Sequence, residues 1–565
     1  MRDGVNLVAD VYRPEAPGSY PTLLQRTPYS KDALVYGPFV LRSAAAGYAV
    51  MLQDVRGRYK SGGDFYPMVN EKDDGFDTLE WISQQPWSDG NVGMFGGSYN
   101  GLTQWQAAMS GHKALKTIIP TITASNYHDG WTYQGGAFEL AFNLSWTLTA
   151  LMADSVLRDV GDNGKASDEY RELVDLIDGL FDEYERLPLS GHDLISRYAP
   201  YYDDWLAHPT FDEYWKDLDI SRVYDQLDIP ALNMGGWYDI FQKGTIENFT
   251  GMHSRDSANG IPQRQSLVIG PWNHPGMREG NPIGDVNFGI GSSGAGIDAD
   301  GIQLRWFDRW LRGIDNGVEH DPPVRIFVMG SNEWRDEHEW PLARTDWQEW
   351  YLHSQGAANS LNGDGLLNRE RPGTEPPDSF TYNPLRPVPS KGGGLCCNPV
   401  FSHGGAFDQR EVEMRDDVLV YSTPPLEEPV EITGPITLIL YASTTALDTD
   451  FTGKLVDVAP CGYARNLTDG ILRARYRNSM EHEELLTPQE VVRYEIDLWS
   501  TSNRFLKGHQ IRLEVSSSNF PRFDRNPNTG ELPATATDMA PALQSIFHTA
   551  DYPSALVLPV IPDDA

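Results

Sequence analysis

The sequence contains few cysteines and few basic residues. Only three of its 565 residues are Cys, with Cys396 and Cys397 adjacent and Cys461 distant. This distribution matches neither a disulfide framework nor the spacing of a metal-ligand motif, and it allows a reducing compartment. Lys and Arg number 45 against 80 Asp and Glu, which gives a formal net charge of -35. So much negative charge repels phosphate backbones and anionic lipid, so nucleic acid is excluded as a partner class.

Long hydrophobic runs are also lacking. No stretch approaches the ~20 consecutive apolar residues that a membrane span requires, so no membrane partner is predicted. The chain opens with MRDGVNLVADVYRP, in which apolar residues alternate as in a strand instead of forming the apolar core of a signal peptide. We therefore expect a large cytoplasmic protein of several domains. Export is an alternative that stays open if the natural N-terminus is longer.

The pattern of apolar residues changes along the chain. Short apolar runs such as TLLQR from Thr22 and LKTIIPT from Leu115 alternate with helical stretches, as in a buried parallel sheet. A long, polar, aromatic-rich and helical region without a clear strand follows, and the alternation then returns. Beyond it, separated β-runs divided by turn residues indicate a β-sandwich. The predicted units are a first α/β part (1–122), a helical cap (123–227), a second α/β part (228–346) and an all-β domain (347–565).

One short run resembles a nucleophile elbow. In GNVGMFGGSYNGLTQWQAAMS, Ser98 lies between a strand-like and a helix-like stretch. Such a turn exposes the serine hydroxyl at the top of a sheet and needs small neighbours, which Gly96, Gly97 and Gly101 provide. Asn100 stands where the second glycine of G-x-S-x-G is expected, so the match is G-x-S-x-x-G. The run alone leaves two readings open, a nucleophile and an ordinary serine in a tight turn.

A serine nucleophile needs a histidine to take its proton and a carboxylate to hold that histidine. Asp239 follows the strand-like ALNMGGWY, and His274 follows the strand-like SLVIGPWN. Both positions are at carboxyl ends of strands, where open α/β sheets collect their chemistry, and the order Ser, Asp, His is that of α/β-hydrolases. The alternatives are a turn aspartate and a solvent-facing loop histidine.

Many segments in order resemble the bacterial cocaine esterase group. That group belongs to the X-Pro dipeptidyl-peptidase-like α/β-hydrolases, together with α-amino-acid ester hydrolases and glutaryl acylases. The resemblance implies an α/β-hydrolase core with an inserted helical cap, plus a C-terminal all-β jelly-roll domain that closes over the active-site cleft. The segments that carry it include TPYSKD, QDVRGRYKSGGDFYP, the elbow run, GGWYDIF, GPWNH, RWFDRWLRG, FVMGSNEWRDEHEWPL and VSSSNFPRFDRNPNTG.

The same resemblance implies roles for individual residues. Ser98, Asp239 and His274 match the catalytic triad of the family, whose elbow is itself G-x-S-Y-x-G. The oxyanion hole matches the backbone N–H of Tyr99 and the phenol hydroxyl of Tyr29. A phenol can donate to a developing alkoxide as a backbone amide does.

The resemblance also implies an acyl pocket. Trp131, Trp146 and Phe241 match aromatic residues that line it, although core packing is an equal alternative for each. Cys396 and Cys397 stand where the relatives carry bulky apolar residues. Smaller, softer side chains there are expected to widen the pocket.

These residues predict a serine carboxylesterase that hydrolyses aryl or short-chain acyl esters through an acyl-enzyme. The expected partner is a small-molecule ester, and a homodimer is the assembly considered. No metal or organic cofactor is expected, because the acyl-enzyme reaction needs none. The run GIDADG near Asp298 resembles a calcium loop but lacks the remaining ligands and the distal Glu, so it is not predicted to bind metal. One alternative is a peptidase, α-amino-acid ester hydrolase or acylase, which needs a carboxylate cluster for a substrate ammonium. A less favoured one is a carbohydrate-binding protein with an inactive hydrolase domain.

Overall fold

The computed structural model describes residues 1–32, 37–397 and 403–562. Its strands are β1 (Ala9–Tyr12), β2 (Tyr20–Thr27), β3 (Ala49–Asp54), β4 (Ser88–Gly97), β5 (Leu115–Thr121), β6 (Tyr133–Gln134), β7 (Ala137–Phe138), β8 (Ala231–Tyr238), β9 (Gln265–Asn273), β10 (Val324–Val328), β11 (Glu333–Glu337), β12 (Asp346–His353), β13 (Leu366–Asn368), β14 (Asp378–Tyr382), β15 (Leu419–Ser422), β16 (Val430–Thr444), β17 (Asp450–Val458), β18 (Ala464–Arg473), β19 (Val492–Phe505), β20 (Gln510–Ser516), β21 (Ala542–Phe547) and β22 (Ala555–Ile561).

The α-helices are α1 (Gly37–Ala45), α2 (Glu71–Ser83), α3 (Tyr99–Met109), α4 (Leu140–Trp146), α5 (Ala153–Val160), α6 (Asp168–Asp178), α7 (Leu180–Glu185), α8 (Asp193–Tyr198), α9 (Pro200–Ala207), α10 (Glu213–Lys216), α11 (Gln242–Ala258), α12 (Gly276–Glu279) and α13 (Ala299–Arg312). Short 3-10 turns and one π turn, Thr147–Met152, connect some of them.

The N-terminal half is built on a nine-stranded sheet with the order β1-β3-β2-β4-β5-β8-β9-β10-β11. Its central strands run parallel, and β1 and β11 are antiparallel edge strands. The central strands are buried along most of their length, which explains their continuous apolar runs. This domain is an α/β-hydrolase domain, as predicted.

Local sequence signals account for several helix ends. The first turn of α2 carries Glu71, Asp73 and Asp74, which complement the positive end of the helix dipole. Asp298 caps α13 by accepting a hydrogen bond from Gly301 N–H at 3.2 Å. The run that resembled a calcium loop is therefore a helix start.

The segment between β5 and β8 is mostly helical. It also contains a hairpin of two-residue strands, β6 and β7, so the prediction that this region has no strand is wrong in detail. Leu140–Val160 is long and apolar enough to cross a membrane by length and composition, although polar and charged residues interrupt its apolar run. Its most apolar window is 67% buried inside the protein, as in a core helix.

The C-terminal domain is all-β. Its eleven strands are hydrogen-bonded into one continuous set, in which the 15-residue β16 pairs with β19, β21 and β22. Burial alternates along the second half of β16, so that Leu438 and Leu440 face the core, as the period of a strand requires.

The all-β domain holds two loops of the hydrolase domain. The Tyr238 hydroxyl donates to the carbonyl of Asn466 at 3.0 Å, and the Gln242 side chain exchanges two hydrogen bonds with the backbone of Ser500. Asn273 Nδ2 donates to the carbonyl of Gly404 at 2.9 Å. These loops follow β8 and β9, so the second domain fixes the carboxyl-terminal edge of the first domain's sheet.

Candidate active site

Ser98 occupies a strained turn between β4 and α3. Its φ of 60° and ψ of -126° are sparsely populated by residues other than glycine. The Ser98 N–H donates to the Thr121 carbonyl at 2.9 Å, which ties the turn to β5. A Cβ atom on Gly97 would lie 3.0 Å from Ile122, and one on Gly101 would lie 2.7 Å from Thr123. The glycines are therefore required by close packing, as the elbow pattern predicted.

Asp239 and His274 form a hydrogen-bonded pair. Asp239 Oδ1 and His274 Nδ1 are 2.7 Å apart, the Asp239 carboxylate is fully buried, and the His274 side chain is 12% exposed. This contact fixes the imidazole orientation and directs the lone pair to Nε2. Among the described residues, the Ser98 hydroxyl makes no hydrogen bond to His274. Such contacts are often long in free enzymes and tighten when substrate binds.

The Tyr99 side chain is fully buried, and its ring centroid lies 6.1 Å from that of Trp146. Its hydroxyl donates to Glu71 at 2.9 Å and accepts from the Met68 N–H at 2.9 Å. Burial, with the nearby Glu71 carboxylate, raises the pKa of the Tyr99 phenol well above its usual value. Only the backbone of Tyr99 can act at the elbow, and its N–H is the first amide of α3, which has no acceptor within the helix.

Tyr29 lies beside Trp146. The Trp146 Nε1–H donates to the Tyr29 phenol oxygen at 3.0 Å. The indole therefore fixes the position of that oxygen. No local pattern indicates this contact, since 117 residues separate its partners.

Aromatic rings connect Trp146 to His274. The Trp146 and Trp131 rings are 5.8 Å apart, Trp131 stacks on Phe241 at 4.1 Å, and Phe241 meets His274 edge-on at 5.3 Å. We call Trp146, Trp131 and Phe241 the aromatic series. The structure thus brings the three predicted pocket residues into contact with one another and with the predicted base.

Sequence reasoning missed two further members of this region. Phe142 and Trp205 stack on Trp146, at 5.5 Å and 6.1 Å between ring centroids. Phe142 precedes Trp146 by one helical turn of α4, so the spacing of the two aromatics could have identified it. Trp205 comes from α9 and carried no comparable signal.

Cys396 and Cys397 are bonded to each other as a disulfide, whereas Cys461 is free and exposed. The cysteine distribution predicted no disulfide framework, and it did not indicate this single bond between neighbouring residues. Adjacent cysteines can bond only in an unusual backbone conformation, here with a φ of 75° at Cys397, and the sequence does not reveal that conformation. The two Sγ atoms and one ring nitrogen of His274 all lie within 4.8 Å of one another.

Two buried carboxylates near the site are paired with Arg522. A Cβ atom on Gly394 would lie 3.3 Å from the Arg522 guanidinium and 3.4 Å from the Asp239 carbonyl oxygen, so Arg522 is close to the Asp239 loop. Its guanidinium pairs with Asp469 and lies 3.5 Å from Glu139. Burial raises the pKa of Glu139 to about 7, although Arg522 opposes the rise. Neither carboxylate is left without a cationic partner.

Comparison with known protein families gives two matches in chain order. The X-Pro dipeptidyl-peptidase (S15 family) matches residues 3–276, and the X-Pro dipeptidyl-peptidase C-terminal non-catalytic domain matches residues 316–557. The cocaine esterase of Rhodococcus sp. (strain MB1 Bresler) is 41% identical over 572 residues, covering 99% of this chain and 97% of that protein.

Two solved structures are similar over nearly the whole chain. An aminopeptidase from a marine sediment archaeon, Thaumarchaeota archaeon, has a TM-score of 0.82 and 25% identity, covering 100% of this chain and 95% of its own. An α-amino acid ester hydrolase has a TM-score of 0.81 and 26% identity, covering 99% and 95%. The same architecture therefore occurs in proteins named for acting on esters, peptides and amino acid esters.

Proposed function

Since the chain belongs to the S15 family and is a cocaine esterase-like serine hydrolase, we propose that it is a carboxylesterase for aryl or short-chain acyl esters. The observation that carries this proposal is the aromatic series between His274 and Tyr29. Uncharged rings in contact with one another thus connect the proposed base to the proposed oxyanion donor.

In the proposed reaction, Ser98 attacks the ester carbonyl while His274 Nε2 takes its proton. Asp239 holds Nδ1–H and stabilises the imidazolium that forms. The Tyr99 N–H and the Tyr29 hydroxyl donate to the developing oxyanion. His274 then protonates the leaving alcohol, and water repeats the sequence on the acyl-enzyme.

The aromatic series supports an apolar acyl group. Apolar surface that leaves water contributes about 25 cal/mol per Å², and aryl groups gain further from stacked or edge-on contacts with rings such as Trp131 and Phe241. Within the described residues, Trp131 Nε1–H has no hydrogen-bond acceptor. It is therefore available to an oxygen of a bound ester.

The alternative reaction on amino-bearing substrates needs a carboxylate for the substrate ammonium. Glu139 and Asp469 are buried near the site, but Arg522 is paired with both. A substrate ammonium would have to compete with this guanidinium or lose its hydration without compensation. The pairing therefore favours uncharged acyl groups.

A matched pair of substrates tests the proposal. Phenylacetyl and phenylglycyl esters of one alcohol differ only in the α-ammonium, so we expect kcat/KM to be about 10- to 100-fold higher for the phenylacetyl ester, from a desolvation cost of about 1–3 kcal/mol. Phenyl acetate and a benzoate ester should also be cleaved, and a Gly-Pro anilide poorly. Assays at one pH suffice. Faster turnover of either amino-bearing substrate would establish the aminopeptidase or amino-ester alternative instead.

Tyr29→Phe tests the oxyanion hole. We expect kcat to fall about 10²- to 10³-fold with little change in KM, because the phenol hydrogen bond strengthens only as charge develops on the substrate. The matched control is Trp146→Phe, which removes the indole donor but keeps the phenol, and should lower kcat much less. An unchanged kcat in Tyr29→Phe would assign Tyr29 to packing alone.

A further inference from the structure

The Cys396–Cys397 disulfide lies against the proposed catalytic base. Both sulfurs and one nitrogen of His274 fall within 4.8 Å of one another. Cys396 is buried, and Cys397 is half-buried against the same core as the aromatic series. Two sulfurs and an imidazole thus converge beside the site, although 122 residues of chain separate His274 from Cys396.

Thiolate and imidazole are the ligands that zinc prefers. Zinc bonds are about 2.3 Å to sulfur and about 2.0–2.1 Å to nitrogen, which places tetrahedral ligand atoms roughly 3.5–4 Å apart. Each sulfur lies no more than 4.8 Å from the His274 nitrogen, and the two sulfurs, now bonded to each other, reach that spacing only when reduction lets them separate. A disulfide, however, offers no thiolate, and the thiolate is the form of cysteine that binds metal.

We propose that Cys396, Cys397 and His274 form a zinc site that exists only after the disulfide is reduced. Two cysteines and one histidine supply three ligands, and water or substrate completes the tetrahedron, as in other three-ligand zinc sites. The disulfide state then determines whether the enzyme responds to zinc at all.

A dithiol is the reductant in this proposal, and its exchange with the Cys396–Cys397 disulfide conserves atoms and electrons. One reductant thiolate attacks a sulfur of the pair, the Cys396–Cys397 bond breaks, and a mixed disulfide forms. The second reductant thiol displaces the protein sulfur and closes the reductant's own disulfide. Two electrons and two protons thereby pass to the two cysteines. Zn²⁺ then replaces the two thiol protons, which go to solvent, and accepts the lone pair of His274 Nε2.

Zinc binding should stop ester hydrolysis. With Nδ1–H directed to Asp239, Nε2 carries the lone pair that accepts the Ser98 proton in the proposed reaction. A lone pair bound to zinc cannot accept that proton. This inhibition rests on the proposed function, whereas zinc binding itself does not.

Zinc binding is measured first, on the full chain. The protein is reduced with dithiothreitol, desalted without oxygen, and titrated with Zn²⁺ against a chromogenic chelator. We expect one tight equivalent per reduced chain and none in the oxidised chain. The double variant Cys396→Ser/Cys397→Ser should lose that equivalent, and Cys461→Ser, which alters the exposed free cysteine, should keep it. Co²⁺ in place of Zn²⁺ should show a thiolate charge-transfer band.

Two further measurements, zinc affinity and inhibition by zinc, test the role of His274 as a ligand. His274→Gln should weaken zinc binding at least about tenfold, as expected for loss of one ligand. In the reduced native enzyme, a free Zn²⁺ concentration ten times Kd should leave about a tenth of the activity, and EDTA should restore it. Ser98→Ala should still bind zinc, so a failure of the proposed function does not affect the binding test.

Two results would overturn the proposal. Zinc binding by the reduced native protein that is no tighter than by the double cysteine variant would show that no such site forms. Equal zinc binding by oxidised and reduced native protein would instead show that binding does not depend on reduction of the disulfide. A count of free thiols in the denatured chain, expected to rise from one to three on reduction, verifies the starting states.

Discussion

Replacing Ser98 with alanine is expected to lower kcat/KM for ester hydrolysis between about 10⁴- and 10⁶-fold, because the members of a triad act as a unit. The turn itself should persist, since its form depends on the glycines around it and on the Ser98 N–H bond to Thr121. Hydrolysis of phenyl acetate measures the loss of kcat/KM. The far-ultraviolet circular dichroism spectrum measures whether the fold persists.

The matched control for this substitution is Ser110→Ala. Ser110 caps the other end of α3, and its hydroxyl donates to the Ala107 carbonyl of the same helix, so the control should retain native turnover. A fluorophosphonate should label the native chain and fail to label Ser98→Ala. Labelling that survives the substitution would place the nucleophile elsewhere, and an unlabelled native chain would support the non-catalytic carbohydrate-binding alternative.

Asp239→Asn is expected to reduce kcat about 10⁴-fold. An amide at this position can donate to Nδ1 of His274 and so hold the imidazole in the tautomer that has no lone pair on Nε2. The 2.7 Å contact and the full burial of the carboxylate leave the histidine little freedom to escape this arrangement. Steady-state kinetics across pH measure the loss.

Asp256→Asn provides the comparison for a buried aspartate without a catalytic role. Asp256 lies near the end of α11 and accepts a hydrogen bond from Arg264 at 2.9 Å. Its substitution should lower the free energy of unfolding and leave kcat unchanged. Native kcat in Asp239→Asn would show that the contact between Asp239 and His274 only supports the loop.

Features with a short-range sequence signal could be predicted. The buried strands β2 and β5 are continuous apolar runs, α2 begins at an acidic turn, and the glycines around Ser98 specify the elbow. In each case the residues that determine the structure are neighbours in the chain. Chain order and family resemblance then selected Asp239 and His274, which the structure places in hydrogen-bonding contact.

Features without a local sequence signal could not be predicted. The strands of the β6–β7 hairpin have two residues each, so they are too short to show the alternation of apolar and polar residues that indicates a strand. The Arg522 pairing with Glu139 joins the helical insertion to the all-β domain, across hundreds of residues. The disulfide between Cys396 and Cys397 depends on a backbone conformation that the neighbouring residue types do not predict. A distant partner decides the arginine pairing and backbone conformation decides the disulfide, and neither is visible in a local pattern.

The pairing of β22 has a consequence for biosynthesis. This last strand lies between β12 and β16 inside the all-β domain, and that domain holds the loops that carry Asp239 and His274 through Tyr238, Gln242 and Asn273. A nascent chain therefore contains every proposed catalytic residue long before those loops have their final support. Translation that stops short of Ala555 releases a polypeptide that contains every residue of the proposed triad but lacks β22, so we expect esterase activity only from chains synthesised through this strand.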